Sequence, residues 1–257
     1  MVYQTVSLQK VDHVMVVKLN DRVSDPPGVA RLSDELTELC AEITWDEEVR
    51  VVVLTGSGDN SFSLDAGVNR TVSRTGGEGE IEVFSISESI AKIDRPVIAA
   101  IQGDALGPGL EMALACDLRI AAETSRFGMS EIKAGLIPWD GGTQRLGRLV
   151  GKGKALEMIL TGETMDAREA CRVGLVNKVV PRQELMLTVM SMAREMATKG
   201  SIALRYTKEA VHQGMDLTLE QGLRLEADLY LLIHTTKDRT EGIKAFREKR
   251  VPKFEGK

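Results

Sequence analysis

The sequence predicts an α/β fold whose last third is helical. Three observations carry this. Two short apolar runs, Val51-Val52-Val53-Leu54 and Val97-Ile98-Ala99-Ala100-Ile101, suit strands buried on both faces, as in a parallel sheet. The second run leads through Gly103, Gly107 and Gly109 into helix-forming residues 110–115 and then a further expected strand, Leu118-Arg119-Ile120-Ala121, which together make a strand–turn–helix–strand unit. From about residue 155 the apolar spacing turns helical, interrupted only by a short run at 176–180.

Taken in order, a strand is expected near residues 3–8 and a second through Val14, Val16 and Leu19, after the Asp12-His13 turn. Asp25-Pro26-Pro27-Gly28 reads as a loop, because two prolines fix the backbone and oppose helix. Leu32, Leu36, Leu39 and Ile43 recur at helical spacing. Beyond Leu54, Thr55-Gly56-Ser57-Gly58 opens a polar, glycine-rich stretch that is loosest at Gly76-Gly77-Glu78-Gly79. A helix is then expected over residues 81–93, and Pro96 launches the next strand. Later helices are expected at 143–150, 155–160, 167–173 and 184–196, with two or three more within 202–247.

The 257 residues carry 33 Lys and Arg against 38 Asp and Glu, a net charge of −5. That balance excludes a broad phosphate-binding face, so no nucleic-acid partner is expected. A chain of this size buries roughly three quarters of its unfolded surface and needs no disulfide or metal staple. Cys40, Cys116 and Cys171 are too scattered for a disulfide framework or a metal site, which points to a reducing cytoplasmic setting. No run of about 20 apolar residues exists, so no membrane span is expected. The first residues lack the pattern of a secretory leader.

The turn after Ile101 is the most informative local feature. Glycines let a backbone approach a ligand, and the helix that follows offers amide hydrogens to an anion. The dinucleotide-binding fingerprint is not met, since Gly107-Pro108-Gly109 runs on into Leu110-Glu111-Met112. Tight helix–strand packing is the commoner reason for such a turn. Glu111 lies one turn into the helix among apolar neighbours, and Glu131 follows the next strand in Met129-Ser130-Glu131-Ile132. Two carboxylates in different environments can do acid and base work on water. Spacing alone favours a plainer alternative, in which each is a solvated helix-start acid. Trp139 either lines a pocket or plugs the core, and Asp140 fits an N-cap of the helix over 143–150. His13, His212 and His234 stand apart, with no triad arrangement around any of them. Lys244, Arg247, Lys249 and Arg250 form a basic cluster, either a solvated helix face or a phosphate contact.

Several longer stretches carry a resemblance. They are Gly103-Asp104-Ala105-Leu106-Gly107-Pro108-Gly109-Leu110-Glu111-Met112-Ala113-Leu114-Ala115-Cys116-Asp117, then Phe127-Gly128-Met129-Ser130-Glu131-Ile132-Lys133-Ala134-Gly135-Leu136-Ile137-Pro138, and then Gly141-Gly142-Thr143-Gln144-Arg145-Leu146. Leu160-Thr161-Gly162, Gly174-Leu175-Val176, Ala245-Phe246 and Glu248-Lys249-Arg250 follow in order. Together they make the chain resemble the enoyl-CoA hydratase/isomerase, or crotonase, family along almost its whole length.

The resemblance implies a spiral of ββα units over residues 1–199 and a C-terminal helical region, 200–257, used to build a homotrimer or homohexamer. It implies an acyl-CoA thioester substrate and no metal or redox cofactor, coenzyme A being part of the substrate. Glu111 and Glu131 match the pair that holds and activates water in the hydratases. Ala66, in Phe62-Ser63-Leu64-Asp65-Ala66-Gly67, matches one oxyanion-hole amide, and Phe246 and Lys249 match residues that touch CoA. The expected activity is therefore hydration of a 2-enoyl-CoA, as in fatty acid metabolism.

Three departures stand out. The second oxyanion amide falls on Pro108, which has no N–H, so the donor pair loses a member unless Gly109 or a water replaces it. Loss of one such donor costs about 10²–10³ in rate. Leu64-Asp65-Ala66-Gly67 replaces the family's usual Ala-Gly-Ala-Asp and puts the Asp65 charge near the CoA path. Trp139-Asp140 replaces a usual small pair and reshapes the acyl pocket. An aspartate matching Asp140 serves in naphthoate synthase-like relatives. That leaves two alternatives: an isomerase, hydrolase or hydratase of a bulky or cyclic acyl-CoA that uses Asp140, and a weakly active acyl-CoA-binding protein.

Overall fold

The computed structural model describes residues 3–20, 26–56, 62, 72–74, 81–83 and 85–257. The oxyanion-loop residues Leu64, Asp65, Ala66 and Gly67 lie outside them.

A six-stranded sheet organises the chain. Its strands are β1 (Val6–Val11), β2 (Val14–Leu19), β3 (Val51–Gly56), β6 (Val97–Ile101), β8 (Leu118–Ala122) and β11 (Lys178–Val180), in the order β1-β2-β3-β6-β8-β11. Only the β1–β2 hairpin is antiparallel; every other pairing is parallel. β3 and β6 are buried at every residue, as strands covered on both faces must be. Their side chains alternate between two cores. Val52, Leu54, Ala99 and Ile101 pack with Leu32, Leu36, Leu39 and Ile43 of α1 (Pro26–Trp45). Val51, Val53, Ile98 and Ala100 pack with Leu185, Val189 and Ala193 of α7 (Leu185–Ala197).

Two smaller sheets flank this one. Val72–Arg74 (β4) pairs antiparallel with Ile81–Val83 (β5). Ala105–Leu106 (β7) runs parallel to Arg126–Gly128 (β9), which also pairs with Thr164–Asp166 (β10). The remaining helices are α2 (Ser87–Ala91), α3 (Pro108–Ala115), α4 (Gly142–Val150), α5 (Lys152–Thr161), α6 (Ala167–Arg172), α8 (Ser201–Gly214), α9 (Leu219–Ile233) and α10 (Lys237–Glu248).

Three sequence expectations need correction. Pro26 and Pro27 open α1 rather than forming a loop, because the first helical turn has no use for the missing N–H groups and accepts the fixed φ. The helix expected over 81–93 is confined to Ser87–Ala91, since Ile81–Val83 is spent on a ladder with Val72–Arg74. The first strand covers Val6–Val11 rather than 3–8, in register with β2 through Val11↔Val14.

Polar contacts tie α8 and the tail beyond α10 to the sheet. Asp117, at the head of β8, accepts from Val97 N at 2.7 Å, from Lys208 Nζ at 2.8 Å and from His212 Nε2 at 2.7 Å. His212 is therefore not isolated, as its sequence setting suggested. Arg50 Nη1 and Nη2 donate to the carbonyls of Ala197 and Phe254 at 3.0 and 2.8 Å, which fastens the tail beyond α10.

Candidate active site

α3 opens at Gly107, whose φ of +49° is a conformation that glycine adopts freely. Its N–H donates to Gly128 O of β9 at 2.9 Å. Pro108 follows in the first turn, where its ring is pre-set for helix. Every residue from Gly109 to Ala115 is buried, so Glu111 is carried into the interior with only 1% of its surface exposed.

Such a buried carboxylate requires partners. Glu111 Oε1 accepts two backbone bonds, from Asp140 N and Gly142 N, each at 2.8 Å. Both donors come from the loop leading into α4, which a left-handed Gly141 turns back toward α3. Glu131 begins the 3-10 turn Glu131–Ala134 directly after β9 and is 7% exposed. Its Oε2 is buried without a partner among the described residues. Its Oε1 lies 2.9 Å from where a Cβ on Gly107 would stand, so it rests against the start of α3.

Burial pushes the Glu111 carboxyl up to about 7. The Gly142 and Asp140 amides oppose that rise, while the nearby Asp140 and Glu131 charges add to it. Burial also holds Glu131 above the ordinary carboxylate range. Two carboxyls beside each other, both shifted toward neutrality, can exchange protons with one water at ordinary pH.

The Gly109 N–H sits in the first turn of α3, where no helical acceptor exists. It is buried and has no acceptor among the described residues. Asp140 caps a different helix from the one expected: its carboxylate accepts from Ile86 N and Ser87 N at the start of α2, at 2.9 and 2.8 Å. Trp139 is 43% exposed and lines, with Asp140, a cavity of about 1190 Å³ bordered by the end of α3, by α4 and by α8; Glu111 and Glu131 do not line this cavity. Phe246, 86% exposed on α10, and Lys249, the left-handed cap of that helix, do not border this cavity. Arg250, of the same basic cluster, is taken up by Glu241 and Glu248.

The model of the enoyl-CoA hydratase/isomerase family matches residues 9–257. This chain belongs to that family. Members similar to it include a crotonyl-CoA hydratase of Syntrophomonas wolfei, 38% identical with 99% of each chain covered. An (E)-benzylidenesuccinyl-CoA hydratase of Thauera aromatica is 37% identical, covering 98% of this chain and 99% of the other. The crystal structure of an enoyl-CoA hydratase from Bacillus anthracis superposes with a TM-score of 0.85 at 38% identity, over 99% of this chain and all of the other. The fold is therefore that of the crotonase family. The sequence had pointed to Glu111 and Glu131, and the structure brings the two together. It had not pointed to the Gly142 and Asp140 amides as the clamp on Glu111; the Gly141-Gly142 pair ahead of α4 was the available signal.

Proposed function

We propose that the protein hydrates a 2-enoyl-CoA, adding water across the 2,3-double bond of the thioester. The observation that carries this reading is the buried pair: Glu111 held by two amides through one oxygen, and Glu131 with an unpartnered oxygen beside it. Water sits between the carboxyls. One carboxyl takes its proton as the oxygen bonds to C3, the double-bond electrons move toward the thioester, and the pair returns a proton to C2. The thioester oxygen becomes enolate-like and needs donors. The Gly109 amide is one, one position past Pro108, and the Ala66 amide is the other. Leu64, Asp65, Gly67, Pro108, Trp139 and Asp140 border the acyl and pantetheine path in this reading. It requires no metal or redox group, coenzyme A being part of the substrate.

Phe246 and Lys249 would touch CoA across a subunit boundary in a homotrimer or homohexamer assembled through residues 200–257. Exposed Val211 on α8, Met215 just past it, and Leu219, Leu223 and Leu231 on α9 support such an assembly. Free Cys40, Cys116 and Cys171 suit a cytoplasmic setting. Among the described residues no helix is long and apolar enough to cross a membrane.

A second reading keeps the hydration and enlarges the acyl group. The half-exposed Trp139 ring, next in sequence to the Asp140 amide that holds Glu111, favours it, and relatives of nearly equal identity bear the names of a crotonyl and a benzylidenesuccinyl substrate. The Asp140 carboxylate, already taking hydrogen bonds on both oxygens, serves there as an anchor and not as a proton donor. Incubation with crotonyl-CoA and with an aryl-substituted enoyl-CoA in ¹⁸O-water tests both. Label at C3 of either product supports hydration, the faster substrate decides between the readings, and absence of label in both overturns them.

A further inference from the structure

Asp140 spends every polar group it has. Oδ1 accepts from Ser85 Oγ at 2.6 Å, and Oδ2 from the amides of Ile86 and Ser87 at 2.9 and 2.8 Å. Its carbonyl accepts from Arg145 Nη1 at 3.1 Å, and its N–H donates to Glu111 Oε1 at 2.8 Å. The residue is 7% exposed. A buried carboxylate gripping three donors is a rigid joint, because releasing any one strands a desolvated group.

The side chain of Asp140 thus holds the start of α2, and its main chain holds Glu111. Gly142, two residues on, supplies the second amide to the same Glu111 oxygen at 2.8 Å. Both amides hang on α2 through one side chain. We propose that Asp140 is a positioning residue: its grip on residues 85–87 fixes the amide clamp and so fixes where Glu111 points. The kinetic part of this rests on the hydration reading; the structural part does not.

Side chain and charge have separable effects. Truncation frees the loop, and a misplacement of about 1 Å at a reacting group can cost about 10²-fold in rate. Asparagine keeps an oxygen for the Ile86 and Ser87 amides and can turn its NH₂ toward Ser85 Oγ. It removes the charge and reverses the Ser85 bond, but keeps the hold on α2. Asp140 and Glu131 are the charged groups that raise the Glu111 carboxyl, against the Gly142 and Asp140 amides. Without the Asp140 charge, Glu111 gives up its proton at lower pH.

The test compares the parent with Asp140→Asn and Asp140→Ala. It measures kcat and KM on crotonyl-CoA from about pH 5 to pH 9. In parallel, infrared titration of the carboxyl band isolates Glu111 by subtracting Glu111→Gln. Asp140→Ala is expected to lower kcat at least about tenfold with KM nearly unchanged. Asp140→Asn, which keeps an acceptor for the Ile86 and Ser87 amides, is expected to lose less kcat than Asp140→Ala, while its Glu111 midpoint and the acid limb of its rate profile move to lower pH. Parent kcat in Asp140→Ala, or a Glu111 midpoint in Asp140→Ala no higher than in Asp140→Asn, overturns the proposal, because losing the two amides raises the carboxyl whereas losing the charge alone lowers it. If Asp140→Ala does not fold, Ser85→Ala, which removes the donor to Oδ1 and keeps the charge, takes its place: lowered kcat with KM nearly unchanged supports the proposal and parent kcat overturns it. If the parent hydrates no enoyl-CoA, the hydration reading falls, and the infrared midpoint still judges the role of Asp140.

Discussion

Gly142 approaches Glu111 so closely that a Cβ built on it would stand 2.8 Å from Glu111 Oε1. The same Cβ would meet Pro138 Cβ at 2.8 Å and Met129 Cε at 2.9 Å. A side chain there cannot be absorbed by moving one flexible tip. Gly142→Ala is therefore expected to push the amide off the carboxylate and lower kcat by at least about tenfold. Steady-state hydration assays check this, with circular dichroism confirming that the fold persists.

Gly107 faces the other carboxyl. Its φ of +49° disfavours any side chain, and a Cβ would sit 2.9 Å from Glu131 Oε1. Gly107→Ala should lose about 1–2 kcal/mol of stability from backbone strain alone. It should also displace Glu131 and depress kcat. Thermal melting and activity measured on one preparation separate the two effects.

Pro108 removes one amide from the first turn of α3, and Gly109 carries the next one, buried and without an acceptor among the described residues. If Gly109 is the working donor, Pro108→Gly leaves kcat within about threefold, and Gly109→Pro lowers it by about 10²–10³. A large gain in Pro108→Gly would instead mean that the parent lacks a donor there.

Glu111 also sets a pH dependence of stability. Its carboxyl is raised from 4.5 to about 7 in the folded state. The folded state therefore binds this proton more tightly than the unfolded chain does. The resulting stability is fully present below about pH 4.5 and is lost as pH rises through about 7. Glu111→Gln removes that loss. It should melt higher than the parent at pH 8, by up to about 3 kcal/mol in stability, and this advantage should disappear near pH 5. Calorimetric scans at the two pH values check the sign.

Much of the fold was legible in the sequence because burial on both faces leaves a plain signature. Val51–Gly56 and Val97–Ile101 are apolar runs that could only be interior strands, and the Leu32, Leu36, Leu39, Ile43 stripe marks the one face of α1 that meets them. Pro26 and Pro27 misled because proline opposes helix everywhere except the first turn, and sequence alone does not say where a turn begins. β5 was hidden because a three-residue ladder has no periodicity to read. At the site, the spacing of Glu111 and Glu131 argued for ordinary solvated acids, and only the family resemblance pointed the other way. Asp140 was legible as a cap but not as the cap of α2, because its donors, Ile86 and Ser87, lie 54 and 53 residues away along the chain. Long-range bonds of this kind leave no mark at the level of spacing.

The most direct test of the account is hydration of crotonyl-CoA by Glu111→Gln and Glu131→Gln beside the parent, with binding of a non-reactive acyl-CoA measured by calorimetry. Each glutamine keeps the size of the side chain and an acceptor oxygen but cannot exchange the proton. The account predicts that the parent turns over, that each variant loses at least about 10² in kcat, and that acyl-CoA binding survives in both. Parent-like turnover in both variants would contradict it.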